Sequence, residues 1–253
     1  MIEAVFAADS PLVDFVRASP NHGERRGRAA PDAIVLHYTG MPTAEGALDR
    51  LCAADAQVSC HYFVFEDGRI AQLVPEARRA WHAGLSFWAG ENDMNSASIG
   101  IEIVNPGHDG GAPPFPRAQV EAVARLCADI MERRAIAPER VLAHSDISPG
   151  RKVDPGEAFP WEVLAAAGLC LADPAPAARD GMTLARGATG APVRALQEAL
   201  ARFGYRCEAT GVYDAATETV VAAFQRRFRR ARVDGVADVR TRAAVESLRA
   251  PVA

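Results

Sequence analysis

The chain has 253 residues, 49% of them hydrophobic and 24% charged, with 28 Lys+Arg against 32 Asp+Glu for a formal charge of −4. That apolar content excludes a long disordered protein, and no run approaches the ~20 consecutive apolar residues that span a bilayer. The length leaves one large domain or a medium and a small one.

The start, Met1 to Asp9, has no basic region and too short an apolar run for a secretory signal, so the chain reads as unexported and cytoplasmic. Ala33 to His37 is an apolar run ending in a polar residue and predicts a strand. Residues 44–51 have helical periodicity. Two apolar runs, 61–65 and 69–74, flank Glu66-Asp67-Gly68 as a hairpin. Residues 98–104 alternate as a strand, residues 117–134 form a helix with Val120, Val123, Ala124 and Leu126 through Ile130 inward, and 141–144 is a short strand. The fold class expected is α/β, a mixed central β-sheet flanked by helices, followed by a small all-α three-helix domain.

The Pro/Ala-rich segment 171–181 reads as a linker between a domain at 1–170 and another at 182–253. The charges divide there: residues 1–180 have 16 basic and 25 acidic groups, the remainder 12 and 7. In the second part Thr210-Gly-Val-Tyr-Asp-Ala-Ala-Thr217 recurs 24 residues later as Asp234-Gly-Val-Ala-Asp-Val-Arg-Thr241. Each glycine suits a turn, and Asp214 and Asp238 suit the N-caps of helices carrying Val220, Val221 and Phe224 or Ala244, Val245 and Leu248. A preceding helix bears Val193, Leu196, Leu200 and Phe203 on one stripe.

His37 and His144 close predicted strands, and Asp154 lies in the Pro/Gly-rich loop Ser148 to Gly156. Two histidines and a carboxylate leave one position open on tetrahedral Zn²⁺, the arrangement of catalytic sites. Taken singly, a histidine at a strand end is more often a hydrogen-bonded polar residue than a ligand. The chain has 27 Arg and a single lysine, Lys152, beside Asp154. Arg and Lys differ in hydration and in ease of pKa shift, so one retained ammonium points to a specific use or to chance.

Six segments in order carry a resemblance: Val35 to Gly40, Ser59 to Tyr62, Leu73 to Pro75, Trp81 to Gly84, Asn95 to Asn105, and His144 to Gly156. Over roughly residues 20–170 the chain resembles the type 2 zinc N-acetylmuramoyl-L-alanine amidases, relatives of phage amidases and peptidoglycan recognition proteins. The C-terminal repeat, with Ala223-Phe-Gln225, resembles a three-helix peptidoglycan-binding module.

The resemblance implies one Zn²⁺ per chain on His37, His144 and Asp154, with Glu102 as the catalytic carboxylate and Lys152 as its cationic partner. It implies hydrolysis of the amide joining N-acetylmuramic acid, or its 1,6-anhydro form, to L-alanine, with peptidoglycan or soluble muropeptides as partners. A wall-binding module would place the substrate outside the inner membrane, against the unexported reading. A non-catalytic peptidoglycan-recognition protein is the alternative.

His82 falls near the family's substrate cleft, and Asn95 and Arg151 are further candidate contacts. The rings of Tyr38 and Trp81 suit stacking on sugars or on core side chains. His61 reads as orienting its neighbours, and His22 and His108 as having no specific role. Cys60 beside His61 suggests a thiol nucleophile, but neighbours in a strand point to opposite faces. The five cysteines (Cys52, Cys60, Cys127, Cys170, Cys207) are odd in number and lack CxxC spacing, so they read as reduced packing residues. The basic run Arg226 to Arg232 lacks a DNA-binding motif and reads as a solvated helix face. No nucleic acid and no membrane span are expected, and the chain is expected to be a monomer.

Overall fold

Residues 6–174 and 181–248 are described by the computed structural model. Most of the segment expected as a linker, residues 175–180, lies outside them.

A six-stranded sheet of order β1-β5-β4-β7-β3-β8 organises the first part, with β1 Phe15–Val16, β3 Ala33–Tyr38, β4 Tyr62–Val64, β5 Ile70–Gln72, β7 Ser98–Ile103 and β8 Val141–Ala143. All neighbours are parallel except β4 and β5, the expected hairpin, which turns through Gly68 at φ +89°. β2 His22–Glu24 and β6 Arg78–Ala80 form a separate antiparallel pair. The central strands read as continuous apolar runs because both faces of the sheet are covered.

One face takes Ile34, Leu36, Ile99, Ile101 and Ile103 against α3 Arg117–Arg134 and α5 Trp161–Ala166. The other face is shared. Phe63 and Ala71 pack under Leu48 and Leu51 of α1 Ala44–Cys52. Val35 and Leu142 belong to a core that continues into the C-terminal helices α6 Ala191–Phe203, α7 Ala215–Phe228 and α8 Val239–Ser247.

The expected repeat is built as read. Gly211 and Gly235 have φ of +77° and +70°, and the carboxylates of Asp214 and Asp238 accept from the N–H of Thr217 and Thr241 at 2.8 and 2.9 Å. Each turn is also held by a buried amide: Gln197 accepts from Gly211 N–H and donates to Val212 O, and Gln225 does the same with Gly235 and Val236. Leu248 follows the end of α8 and packs against the core from there.

The C-terminal helices are welded to the sheet domain. Trp88 is buried edge-on against Phe203 and Tyr205, with ring centroids 5.5 and 5.0 Å apart, and a Cβ at Gly204 would stand 2.6 Å from its indole. Burying such aromatics contributes several kcal/mol in total, on the order of 2 kcal/mol each.

The basic run does not form the solvated face expected of it. Arg227 is buried, ion-paired with Asp146 at 3.0 Å and stacked over Trp161, while Arg229, Arg230 and Arg232 pair with Asp238, Glu162 and Asp234. A guanidinium tolerates this because it is weakly hydrated and stacks on rings.

Candidate active site

β3 and β7 pair in parallel with His37 opposite Glu102 and Val35 opposite Gly100. Partners in register point to the same face, so His37 and Glu102 emerge together on the face shared with α1 and the C-terminal helices. His144 was expected as the last residue of its strand; it is the first residue of α4 His144–Ile147. The carboxylate of Asp146 accepts Ala143 N–H at 2.8 Å, which ends the ladder and starts the helical turn. Asp154 arrives from the following loop, its carbonyl accepting Ser145 N–H at 3.0 Å.

The three side chains converge. His37 Nδ1 lies 2.8 Å from His144 Nδ1 and 3.1 Å from Asp154 Oδ2, and His144 Nδ1 lies 2.9 Å from the same oxygen. All three are buried. Burial first, then the neighbouring His144, holds His37 down to about 4, so its ring is neutral near pH 7. Burial opposes the charge on Asp154, but the two histidines outweigh it and hold the carboxyl well below its usual range. His144 Nε2 lies 3.1 Å from Ala83 O and 3.2 Å from the Arg151 guanidinium, so the ring is held at its far nitrogen and turns Nδ1 toward His37 and Asp154. Two ring nitrogens and a carboxylate oxygen aimed at one point, one ring held at its far nitrogen, are the donor set of a zinc site with an open position.

Glu102 and Lys152 line a cleft of about 310 Å³ beside this cluster, together with Trp81, His82, Ser59 and Thr39. Arg50 of α1 lines it too; an arginine in an exposed helical turn gave no sequence signal. Glu102 Oε2 is buried without a hydrogen-bond partner. Burial pushes its carboxyl well up, the charge of Asp154 adds to this, and Lys152 opposes it. A carboxyl so placed is a proton carrier rather than a fixed anion.

Of the five residues expected to contact substrate, Trp81 and His82 reach the cleft. The other three have their polar atoms committed elsewhere. Asn95 Oδ1 accepts the N–H of His82 and of Ala83 at 2.8 and 2.7 Å. Arg151 donates to Ala83 O, Leu85 O and Ser148 Oγ, pinning the loops on either side of His144. The Tyr38 hydroxyl lies 3.0 Å from His108 Nδ1, within hydrogen-bond distance.

His108, expected to be idle, passes that contact on to Glu157 at 3.1 Å and packs against Gly156, so it braces the loop that delivers Asp154. His22 lies in β2, paired with Ala80. His61 accepts Gly100 N–H on Nδ1 at 2.9 Å and donates from Nε2 to Arg78 O. Burial and the adjacent Glu102 push the Cys60 thiol well up, away from any nucleophilic thiolate.

Residues 27–157 match the family described as N-acetylmuramoyl-L-alanine amidase, and residues 189–245 match a peptidoglycan binding domain family. The chain is 42% identical over 229 residues to the N-acetylmuramoyl-L-alanine amidase AmiD of Escherichia coli, covering 85% of this chain and 81% of AmiD. It is 33% identical over 160 residues to the 1,6-anhydro-N-acetylmuramyl-L-alanine amidase AmpD of Enterobacter cloacae, covering 56% of this chain and 83% of AmpD. The structure of AmiD in complex with anhydro-N-acetylmuramic acid-L-Ala-D-gamma-Glu-L-Lys superposes with a TM-score of 0.74 at 35% identity, covering 90% of this chain and 96% of that one. That of AmpDh3 of Pseudomonas aeruginosa with anhydromuramic pentapeptide does so with a TM-score of 0.70 at 31% identity, covering 92% and 94%.

Proposed function

The chain belongs to the N-acetylmuramoyl-L-alanine amidase family and is a hydrolase of the bond that the family name describes, and from this premise we propose how its residues divide the work. Residues 1–170 carry the amidase chemistry and 182–253 the contact with wall polymer. His37, His144 and Asp154 hold one Zn²⁺, a reading supported above all by their convergence within 4.8 Å, with the His37 ring neutral and the carboxylate ionised. Zinc bound there would polarise the scissile carbonyl and lower the pKa of water toward ~7.

The scissile bond is an unactivated amide, so the site must supply a base, an acid and charge stabilisation. Glu102 is placed to take a proton from the attacking water and return it to the departing alanine nitrogen. Its raised affinity for protons suits both halves of that cycle. Lys152, facing the same cleft, stabilises the oxygen that becomes negative in the tetrahedral intermediate, an effect that can be worth about 3–4 kcal/mol per donor. Trp81 offers a ring face to the sugar or the peptide.

The substrate class is a muropeptide, including the 1,6-anhydro form, as supported by the ligands of AmiD and AmpDh3. No helix among the described residues is long and apolar enough to cross a membrane. Soluble muropeptides and wall polymer share the scissile bond, so assays on both distinguish the two compartments that the sequence leaves open. The working unit is a monomer, since one chain supplies every group invoked.

Zinc content tests the ligand set. His144→Ala loses metal and turnover together, whereas Glu102→Ala and Lys152→Ala keep about one zinc per chain and lose turnover. Full metal in His144→Ala, or metal loss in the other two, would overturn these roles.

A further inference from the structure

His82 was expected to touch substrate, but its nitrogens face the metal-site scaffold. Its Nδ1 lies 3.0 Å from His37 Nε2 and its Nε2 lies 3.4 Å from Ser98 Oγ. The ring is buried, with Nδ1 toward His37 and Nε2 toward the Ser98 oxygen. A neutral imidazole donates from one nitrogen and accepts at the other, and the surroundings decide which. The Ser98 hydroxyl donates its hydrogen to Met94 O, so its oxygen meets His82 as an acceptor.

His82 therefore carries its proton on Nε2, and its Nδ1 accepts from His37 Nε2–H. That direction leaves His37 Nδ1 unprotonated where it faces His144 and Asp154. In the reverse direction two lone pairs would face each other between His82 Nε2 and Ser98 Oγ, and His37, accepting on Nε2, would carry its proton toward the metal position.

We propose that His82 is a positioning residue that, oriented by Ser98, sets the metal-binding tautomer of His37. The inference rests on the zinc reading above and adds a role that neither the sequence pattern nor the similarity to known amidases assigns to His82.

A second observation supports it independently. An ideal Cβ on Gly100 would stand 2.4 Å from His82 Cγ, so the glycine in the middle of β7 is the floor on which the ring lies. Its φ is not in the left-handed region, so conformational freedom does not explain a glycine in a central strand, where it normally weakens the element. Space for the His82 ring does. His61 accepts Gly100 N–H on Nδ1, its ring 5.7 Å from that of His82, and holds that floor in place.

The test combines a spectrum with zinc affinity. Long-range ¹H–¹⁵N spectra of the zinc-loaded wild-type protein should show His82 protonated on Nε2 and His37 protonated on Nε2. A proton on His82 Nδ1 would overturn the proposal. Zinc affinity, measured by chelator competition, should weaken about 10- to 100-fold in His82→Ala, the range for losing an outer partner of a metal ligand.

His82→Asn places an amide oxygen close to the Nδ1 position and should recover most of that affinity. Ser98→Ala, a near-isosteric change, should weaken binding less than His82→Ala does. Wild-type affinity in His82→Ala, or His82→Asn no better than His82→Ala, would overturn the role of His82 while leaving the zinc site intact. A wild-type protein that binds no zinc would refute the metal reading itself, and this proposal with it. If His82→Ala does not fold, the wild-type spectrum and the affinities of His82→Asn and Ser98→Ala decide the matter.

Discussion

Tyr205 of the C-terminal module donates its hydroxyl to Asp146 at 2.7 Å, and Asp146 stands two residues beyond His144. The same carboxylate accepts Ala143 N–H and pairs with buried Arg227, so one side chain of the sheet domain shapes the turn that presents His144 and anchors the module. A tethered wall-binding arm would need no such contact.

Tyr205→Phe should therefore cost about 2 kcal/mol of stability, the range for a hydrogen bond to a charged group. Asp146→Ala should cost about 3–5 kcal/mol, because it strands a buried guanidinium. Urea unfolding checks both. Truncation at residue 174 should give a poorly soluble catalytic part, since it exposes Trp88, Met94, Leu142 and Ile147. A well-behaved, fully active truncation would contradict a shared core.

Glu102→Gln keeps the shape of the side chain and removes its proton chemistry. Its turnover should fall about 10²–10⁴-fold with little change in KM. Lys152→Arg should lose a large part of the activity as well, because a planar guanidinium does not replace a compact ammonium at a crowded oxyanion. Steady-state kinetics on a defined muropeptide measures both, and a Lys152→Arg enzyme of wild-type turnover would remove Lys152 from that role.

Glu76 gives a pH signature away from the site. Burial opposes its charge, but Arg133, Tyr62 and Arg134 outweigh that and bring its pKa down to about 2. A carboxylate with a depressed folded pKa adds stability that is fully present above its unfolded value of about 4.5 and disappears as pH falls toward 2. The contribution is on the order of 3 kcal/mol at neutral pH. The stability gap between wild type and Glu76→Gln should be full near pH 7, begin to narrow below about pH 4.5 and close toward pH 2. A gap independent of pH would contradict this.

The central strands and α3 were legible because long apolar runs fix both period and burial. Phe15–Val16 and the pair His22–Glu24 with Arg78–Ala80 were not, since two or three residues carry no period. At the site, the six collinear segments of the resemblance pointed to His37, Glu102, His144, Lys152 and Asp154; the fold brings the two histidines and Asp154 together and sets Glu102 and Lys152 on one cleft. Orientation was not disclosed. Whether His82 faces substrate or His37 depends on Gly100 beneath it and Ser98 beside it, and these are relations across strands. Arg227 likewise sits in a basic run, and only the fold brings Asp146, 81 residues away, to bury with it.

The most direct measurement is mass spectrometry of products after incubation with a soluble anhydro-muropeptide, before and after chelation and with zinc restored. The account predicts free stem peptide beginning at L-alanine, lost on chelation and recovered with zinc. Intact muropeptide under every condition, or peptide release that chelation leaves untouched, would contradict it.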